Sequence, residues 1–228
     1  MKQVTIPLRA SERHACANAS GARLRYDADP GPGVGGSLRP DQQPGGGGSV
    51  GLRLAQLAEI YRAGGRLSRW SDLGVRIPAG RNRIVVVNRQ SSSGTYEFFC
   101  EHVLANRDFA LGSLDMNDSK EVVDLIASTP GAIGYGGMAF ATQVVKMLRV
   151  RRQAGDPAFA PTLTNVLGHH YPISRSVLIY TLGEPRAMVG EYNDWLQSPT
   201  GQRIVPDSGY VPVCSGKDLA PPCGVGTN

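Results

Sequence analysis

The chain has few of the residues and motifs that metal enzymes, membrane proteins and nucleotide-hydrolysing proteins need. Its 228 residues include only four cysteines and four histidines, and the cysteines form no C-x-x-C pair of the kind that binds zinc. No apolar run approaches the ~20 residues of a membrane helix, and no secretory signal is visible at the start. The P-loop motif G-x-x-x-x-G-K-[ST] is absent, which argues against a nucleotide-hydrolysing site of that class.

Two further chemistries are weakly supported. His169 and His170 are adjacent, so on a strand or loop they point in opposite directions, and no third metal ligand lies near them in sequence. The serine-rich segment Ser91–Gly94 does not fit the G-x-S-x-G nucleophile elbow of a serine hydrolase. We therefore expect neither a resident metal nor any other cofactor, and no catalytic residues.

Positive charge is modest and unevenly distributed. The net charge is +5, and residues 1–53 hold seven Lys and Arg against four Asp and Glu. The remainder is nearly neutral, and the cluster of Lys146, Arg149, Arg151 and Arg152 is predicted to be a solvated turn. The sequence shows no extended cluster of Lys and Arg of the kind that binds a nucleic-acid backbone, so nucleic acid is not an expected partner.

Residues 1–49 differ in composition from the rest. They are rich in glycine and proline and poor in apolar side chains, so we predict a flexible segment without a core. Gly31–Gly36 matches G-x-G-x-x-G literally, but no predicted strand precedes it and no predicted helix follows, which argues against a dinucleotide site.

From Val50 onward, apolar patterns with strand and helix periods alternate, which predicts an α/β fold. Asp118 with Glu121 resembles a capping box that opens a helix, and Ser198-Pro199 is a typical helix start. The patterns predict strands at 84–87, 132–135 and 171–182, and helices at 52–61, 96–104, 118–128, 186–196 and 198–205.

One segment carries most of the functional signal. The strand at 84–87 is followed by Arg89, three serines, Gly94 and Thr95, and then by a helix. A helix N-terminus carries unpaired N–H groups and positive partial charge. Ser93 and Thr95 add hydroxyl donors, and Arg89 adds a forked cation. These groups together suit a small oxyanion, although Ser and Thr at a helix start also serve simply as caps.

The chain resembles a known family in five motifs that occur in the family's order. They are Arg89–Thr95, Ser128–Tyr135, Tyr171–Arg175, Ser198–Gln202 and Gly209–Val213. The resemblance is to phosphate-binding proteins of ABC phosphate transporters, in the type II periplasmic binding-protein superfamily. It covers the chain from about Val50 to Val213.

The resemblance implies a two-lobed α/β fold that holds inorganic phosphate between the lobes and delivers it to an ABC transporter. It implies a second lobe at 50–162, the C-terminal part of an incomplete first lobe at 163–213, and a tail at 214–228. By the same resemblance Arg89, Ser93, Gly94 and Thr95 contact phosphate, and Ser92 is a further candidate. The location implied is periplasmic or cell-surface, with transporter membrane subunits as partners and no membrane insertion.

Two departures leave an alternative open. Ser91 stands where the family often has an acidic or amide side chain that supports the arginine. The first lobe's own Ser and Thr contacts and its proton-accepting Asp have no counterpart in residues 1–49. The alternative is a truncated lobe that binds no anion and acts as an interaction module, or has no function.

Several points stay open at this level. The sequence does not distinguish phosphate from other oxyanions, nor does it give the oligomeric state. An oxidising compartment would allow a disulfide between Cys214 and Cys223. Cys100 is predicted to be a small buried apolar residue.

Overall fold

A computed structural model describes residues 34–38, 51–75, 81–175, 179, 181 and 184–212 of the chain. The strands are β1 Val34–Leu38, β2 Gly51–Arg53, β3 Val85–Arg89, β4 Leu114–Met116, β5 Ala132–Gly137, β6 Lys146–Met147 and β7 Arg149–Arg151. The helices are α1 Leu54–Tyr61, α2 Gly94–His102, α3 Ser119–Ser128, α4 Leu163–Leu167, α5 Met188–Gln197 and α6 Pro199–Ile204. Short 3₁₀ turns occupy Trp70–Leu73, Met138–Phe140 and Val205–Ser208.

A five-stranded sheet in the order β4-β3-β5-β1-β6 forms the centre of the fold. Strand β3 pairs in parallel with both β4 and β5, and β1 pairs antiparallel with β5 and β6. A separate parallel pair joins β2 to β7. Because α2 connects β3 to β4 and α3 connects β4 to β5, the three parallel strands end at one edge, as in other α/β sheets.

Strand β3 has apolar partners on both faces, as its β-branched sequence predicts. Ile84 and Val86 contact the larger apolar cluster, which also holds residues of α1 and α2. Val85 and Val87 contact a second cluster built on α3. This alternation along the strand means that α2 and α3 cover opposite faces of the sheet.

Strand β1 corrects a prediction made from composition. Residues 34–38 were expected to belong to a flexible segment, yet they lie between β5 and β6, with Val34 opposite Gly137 and Ser37 opposite Gly134. The sequence signal is weak because the segment is Val-Gly-Gly-Ser-Leu, with no alternation of apolar and polar residues. Backbone pairing with a neighbour on each side places this strand, and such context overrides strand propensity.

The predicted capping of α3 is confirmed with one small difference. The Asp118 side chain accepts a hydrogen bond from the Glu121 backbone N–H at 2.7 Å. The Glu121 side chain accepts from the N–H of Asn117 at 2.8 Å rather than from that of the cap residue itself. Helix α6 is likewise capped as predicted, because Ser198 Oγ accepts from the Gly201 N–H at 3.2 Å.

The predicted strand at 171–182 is wrong for residues 171–175, which form bends and irregular backbone. Tyr171 and Ile173 are each 1% exposed, so their apolar character serves core packing. The Tyr171 N–H donates to the Asn165 carbonyl at 3.0 Å instead of to a strand partner. Residues 176–178, 180 and 182 lie outside the described part of the chain.

Helix α5 confirms the prediction of an amphipathic helix but not the burial expected of one. Met188, Val189, Tyr192 and Trp195 are all exposed, and the Tyr192 and Trp195 rings stack at 6.0 Å.

Within the described residues, no helix is both long enough and apolar enough to cross a membrane.

Cys100 is buried, as expected for a residue on the apolar side of α2. It is disulfide-bonded in the structure, so the expectation that it serves only as a small apolar residue is wrong. Cys214 and Cys223 lie outside the described residues, and the pairing considered for them stays a prediction.

Gly131 should tolerate no side chain. Its φ is +82°, and an added Cβ would lie 2.5 Å from the Arg83 carbonyl oxygen. We expect Gly131→Ala to lower the free energy of unfolding by about 2–4 kcal/mol, from left-handed backbone strain plus overpacking. Urea denaturation measures this change.

Gly112→Ala is the matched control, because Gly112 also has positive φ, +85°, but has no atom within 4 Å of an added Cβ. It should lower the free energy of unfolding by only about 1 kcal/mol, the cost of placing alanine in a left-handed backbone conformation. If the two variants lost the same free energy of unfolding, the close approach of Gly131 to the Arg83 carbonyl would be contradicted.

Candidate functional site

The predicted anion segment lies where the parallel strands end. Arg89 is the last residue of β3, and Ser93 is the N-cap of α2. The N-cap of α3, Asp118, follows β4, and Gly137 ends β5. The carboxyl edge of parallel strands is the usual ligand site of open α/β sheets.

The Arg89 side chain is almost entirely buried, at 4% exposure. Its Nη1 donates to the Ser119 hydroxyl oxygen at 2.9 Å, and its Nη2 donates to the Asn117 carbonyl oxygen at 2.8 Å. Ser119 is the first residue of α3, and Asn117 directly precedes the N-cap of that helix. The guanidinium on β3 is thus oriented by the neighbouring helix N-terminus.

Ser119 is a residue of the candidate site that sequence reasoning missed. It is 0% exposed, and its hydroxyl oxygen also accepts from the Gly137 N–H at 3.0 Å. A Cβ at Gly136 would lie 3.2 Å from the Ser119 side chain, so the absence of a side chain at Gly136 leaves space for Ser119. One hydroxyl therefore links β3, α3 and the end of β5.

Sequence spacing could not have revealed this pair, since Ser119 lies 30 residues beyond Arg89. The only local feature of Ser119 is its position directly after the helix cap Asp118. Polar residues are common there, so the position does not indicate a contact with Arg89.

The start of α2 is a capped helix N-terminus. Ser93 Oγ accepts from the Thr95 N–H at 3.2 Å, so Ser93 acts as a cap. Ser93, Gly94 and Thr95 are all buried, whereas the Ser92 side chain is exposed. Arg89 and these three residues are therefore buried in the segment that leaves β3 and enters α2, while Ser92 is exposed to solvent.

The orientation of Arg89 also accounts for the departure at Ser91. In this chain the serine is partly exposed, and the hydroxyl of Ser119 and the carbonyl of Asn117 hold the guanidinium. Support for the guanidinium thus comes from the connection between β4 and α3.

A buried aromatic cluster lies beneath the segment. The Phe99 and Tyr135 rings stack at 3.9 Å, and Tyr61 meets both rings edge to face. Burial raises the pKa of the Tyr135 phenol well above its usual range, and burial does the same for the pKa of Tyr61. Both phenols therefore stay neutral and do not oppose an incoming anion by charge.

The arrangement combines a buried cation, a helix N-terminus and short hydroxyl side chains. The first N–H groups of a helix have no carbonyl partner within it, and in α2 the Thr95 N–H donates to the cap residue Ser93. Charge-assisted hydrogen bonds to a small oxyanion are the interaction that this set of donors favours.

Comparison with known proteins gives the family. The family model described as a PBP superfamily domain, the periplasmic binding-protein superfamily, matches residues 39–200. The chain belongs to the PBP superfamily. Its α/β fold is the type II form, since it aligns with TM-score 0.64 and 27% identity to a putative phosphate ABC transporter substrate-binding protein with bound phosphate from Clostridium perfringens. That alignment covers 80% of this chain and 69% of the other.

Curated relatives in sequence are phosphate-binding proteins. The chain is 28% identical over 173 residues to the phosphate-binding protein PstS of Pseudomonas aeruginosa, covering 72% of this chain and 54% of that protein. It is 34% identical over 159 residues to the PstS of Bacillus subtilis, covering 69% and 49% respectively. This PBP-superfamily chain thus spans about half the length of these relatives.

The Ser119 hydroxyl should matter more to stability than any exposed serine of the same helix. Ser119→Ala removes the acceptor for two buried donors, Arg89 Nη1 and the Gly137 N–H. We expect a loss of about 2–3 kcal/mol in the free energy of unfolding, measured by chemical denaturation.

Ser128→Ala is the control in α3, because that hydroxyl is exposed and bonds only to carbonyls of its own helix. It should change stability by less than about 0.5 kcal/mol. A Ser119 variant as stable as the Ser128 variant would contradict the linking role of Ser119.

Proposed function

We propose that this chain is a solute-binding protein that binds inorganic phosphate through Arg89, Ser93, Gly94 and Thr95. Ser92, at the solvent side of the same turn, is an outer contact. The protein delivers the anion to the membrane subunits of an ABC transporter and works in the periplasm or at the cell surface.

The single observation that carries the proposal is the orientation of Arg89. The buried Arg89 guanidinium lies five residues before the nine-residue helix α2 in the chain. It is held by the Ser119 hydroxyl and by the carbonyl of Asn117, just before α3. Burying a cation is costly unless it interacts with acceptors or anions. An oxyanion in front of α2 would gain charge-assisted bonds from the same group.

The named relatives support phosphate as the anion. The proteins of Pseudomonas aeruginosa and Bacillus subtilis are named phosphate-binding, and the Clostridium perfringens structure has phosphate bound. Since these relatives are binding proteins, we assign binding and release to this chain and no chemical step on the ligand.

The proposal includes the division into lobes made from the sequence. Residues 50–162 form the anion-binding lobe together with β1, which belongs to the same sheet. Residues 163–213 contribute the C-terminal part of the other lobe, and 214–228 form a tail. The Arg89 segment and both helices that support it fall within the first of these ranges. All the donors named above therefore belong to one lobe.

Phosphate binding should depend on Arg89. Titration calorimetry of the wild-type chain should show saturable micromolar or tighter binding, about −8 kcal/mol. Arg89→Gln should weaken it by about 10- to 100-fold, the contribution of one charge-assisted hydrogen bond. Thr95→Val, which keeps side-chain shape and loses only the hydroxyl, should weaken it by about fivefold.

Arg203→Gln serves as the control, because Arg203 is exposed on α6 and bonds to Thr200. It should bind phosphate like the wild type. A folded wild-type chain that gives no heat with phosphate would favour the alternative, an interaction module or a lobe without function. Equal affinity of the wild type and Arg89→Gln would refute the assigned site.

A further inference from the structure

We propose a second anion site at the opposite end of β3, where Arg69 and Arg83 bind a small ligand that carries two negative groups, such as a diphosphate. The inference does not depend on the function proposed for the Arg89 segment. It rests on backbone register, local charge and a surface cavity.

The backbone places the two arginines directly opposite each other. Arg69 and Arg83 form an isolated antiparallel bridge. Side chains of residues paired in this way lie on the same face, with Cβ atoms about 4.5–5.5 Å apart. Two like charges in that position repel, and a shared anion would relieve the repulsion.

A rigid framework holds this register. The Trp70 N–H donates to the Asn82 carbonyl at 2.8 Å, and the Ile84 N–H donates to the Ser68 carbonyl at 2.8 Å. The Trp70 indole is 0% exposed and donates to the Gly131 carbonyl at 3.0 Å. The backbone N–H of Ser71 donates to Asn82 Oδ1, and Asn82 Nδ2 donates to the Ser71 hydroxyl oxygen. The backbone positions of the two arginines are thus set before any ligand arrives, which reduces the backbone part of the entropy cost of binding.

The nearest carboxylate in sequence is already engaged. Asp72 Oδ2 accepts from the backbone N–H groups of Ser68 and Arg69, at 3.4 and 3.1 Å. Within the described ranges neither the Arg69 nor the Arg83 side chain has an ion-pair partner, and both are exposed. Their charge is therefore available to an external anion.

A cavity of about 480 Å³ adjoins the pair. Among the described residues it is lined by Ser68, Arg69, Asn82 and Arg83. This size falls in the range of about 300–1,000 Å³ typical of small-molecule sites. The four described lining residues include two arginines and no carboxylate, and this composition favours an anion over a cation.

This site is separate from the Arg89 segment. Arg83 precedes β3 and Arg89 ends it. Six steps of extended backbone place the two residues about 20 Å apart. One ligand of this cavity's size therefore cannot contact both arginines, and each site can be tested alone.

The test uses inorganic pyrophosphate as the probe and Trp70 fluorescence as the local signal. Trp70 follows Arg69 directly, and the chain has only one other tryptophan, Trp195, which is removed in a Trp195→Phe background. We expect a saturable fluorescence change with Kd below about 1 mM in 150 mM salt. Arg69→Gln with Arg83→Gln should raise that Kd at least tenfold, the loss of one or more charge-assisted bonds.

The matched control replaces two other exposed arginines, Arg149→Gln with Arg203→Gln. It keeps the net charge of the double variant but should leave the Kd unchanged. Orthophosphate binding by calorimetry should be the same in all three proteins, which separates this site from the Arg89 segment. A Trp70 response that survives in the Arg69/Arg83 variant, that falls equally in the control, or that never saturates would overturn the proposal.

Discussion

The arrangement of the candidate site depends on how the buried guanidinium of Arg89 is held. A cation removed from water is destabilising unless hydrogen-bond acceptors replace its hydration. The Ser119 hydroxyl and the Asn117 carbonyl supply those acceptors from α3. Because the Ser119 oxygen also accepts from Gly137, the position of the charge is coupled to the packing of three elements.

This coupling explains why the glycines of β5 lie where they do. At Gly134 an added Cβ would meet Ile126 and Val122 at 2.7 and 2.8 Å, so α3 packs closely against the strand there. At Gly136 the neighbour is Ser119 itself. Larger side chains would move α3 away from the sheet and with it both acceptors of Arg89. The glycines thus allow close packing of α3 against the sheet.

The sequence predicted what depends on local pattern. The β-branched run before Arg89, the caps at Ser93, Asp118 and Ser198, and the helices that follow them are all present. Each of these features is set by residues within four positions of one another, so a single sequence shows them.

What the sequence missed depends on contacts between distant segments. Strand β1 exists because β5 and β6 pair with it on each side. Tyr171 and Ile173 have strand-like composition yet fill the core from irregular backbone. The Ser119 contact to Arg89 spans 30 residues. In each case contacts between distant segments determine the local structure, and the periodicity of neighbouring residues does not reveal such contacts.

The most direct test of the account is residue-resolved amide NMR of the isotope-labelled chain during a phosphate titration. The account predicts saturable shifts concentrated on the backbone N–H groups of Gly94 and Thr95, with smaller shifts at Ser119 and Gly137, which surround Arg89. A folded chain whose Gly94 and Thr95 amides do not respond to phosphate would contradict it.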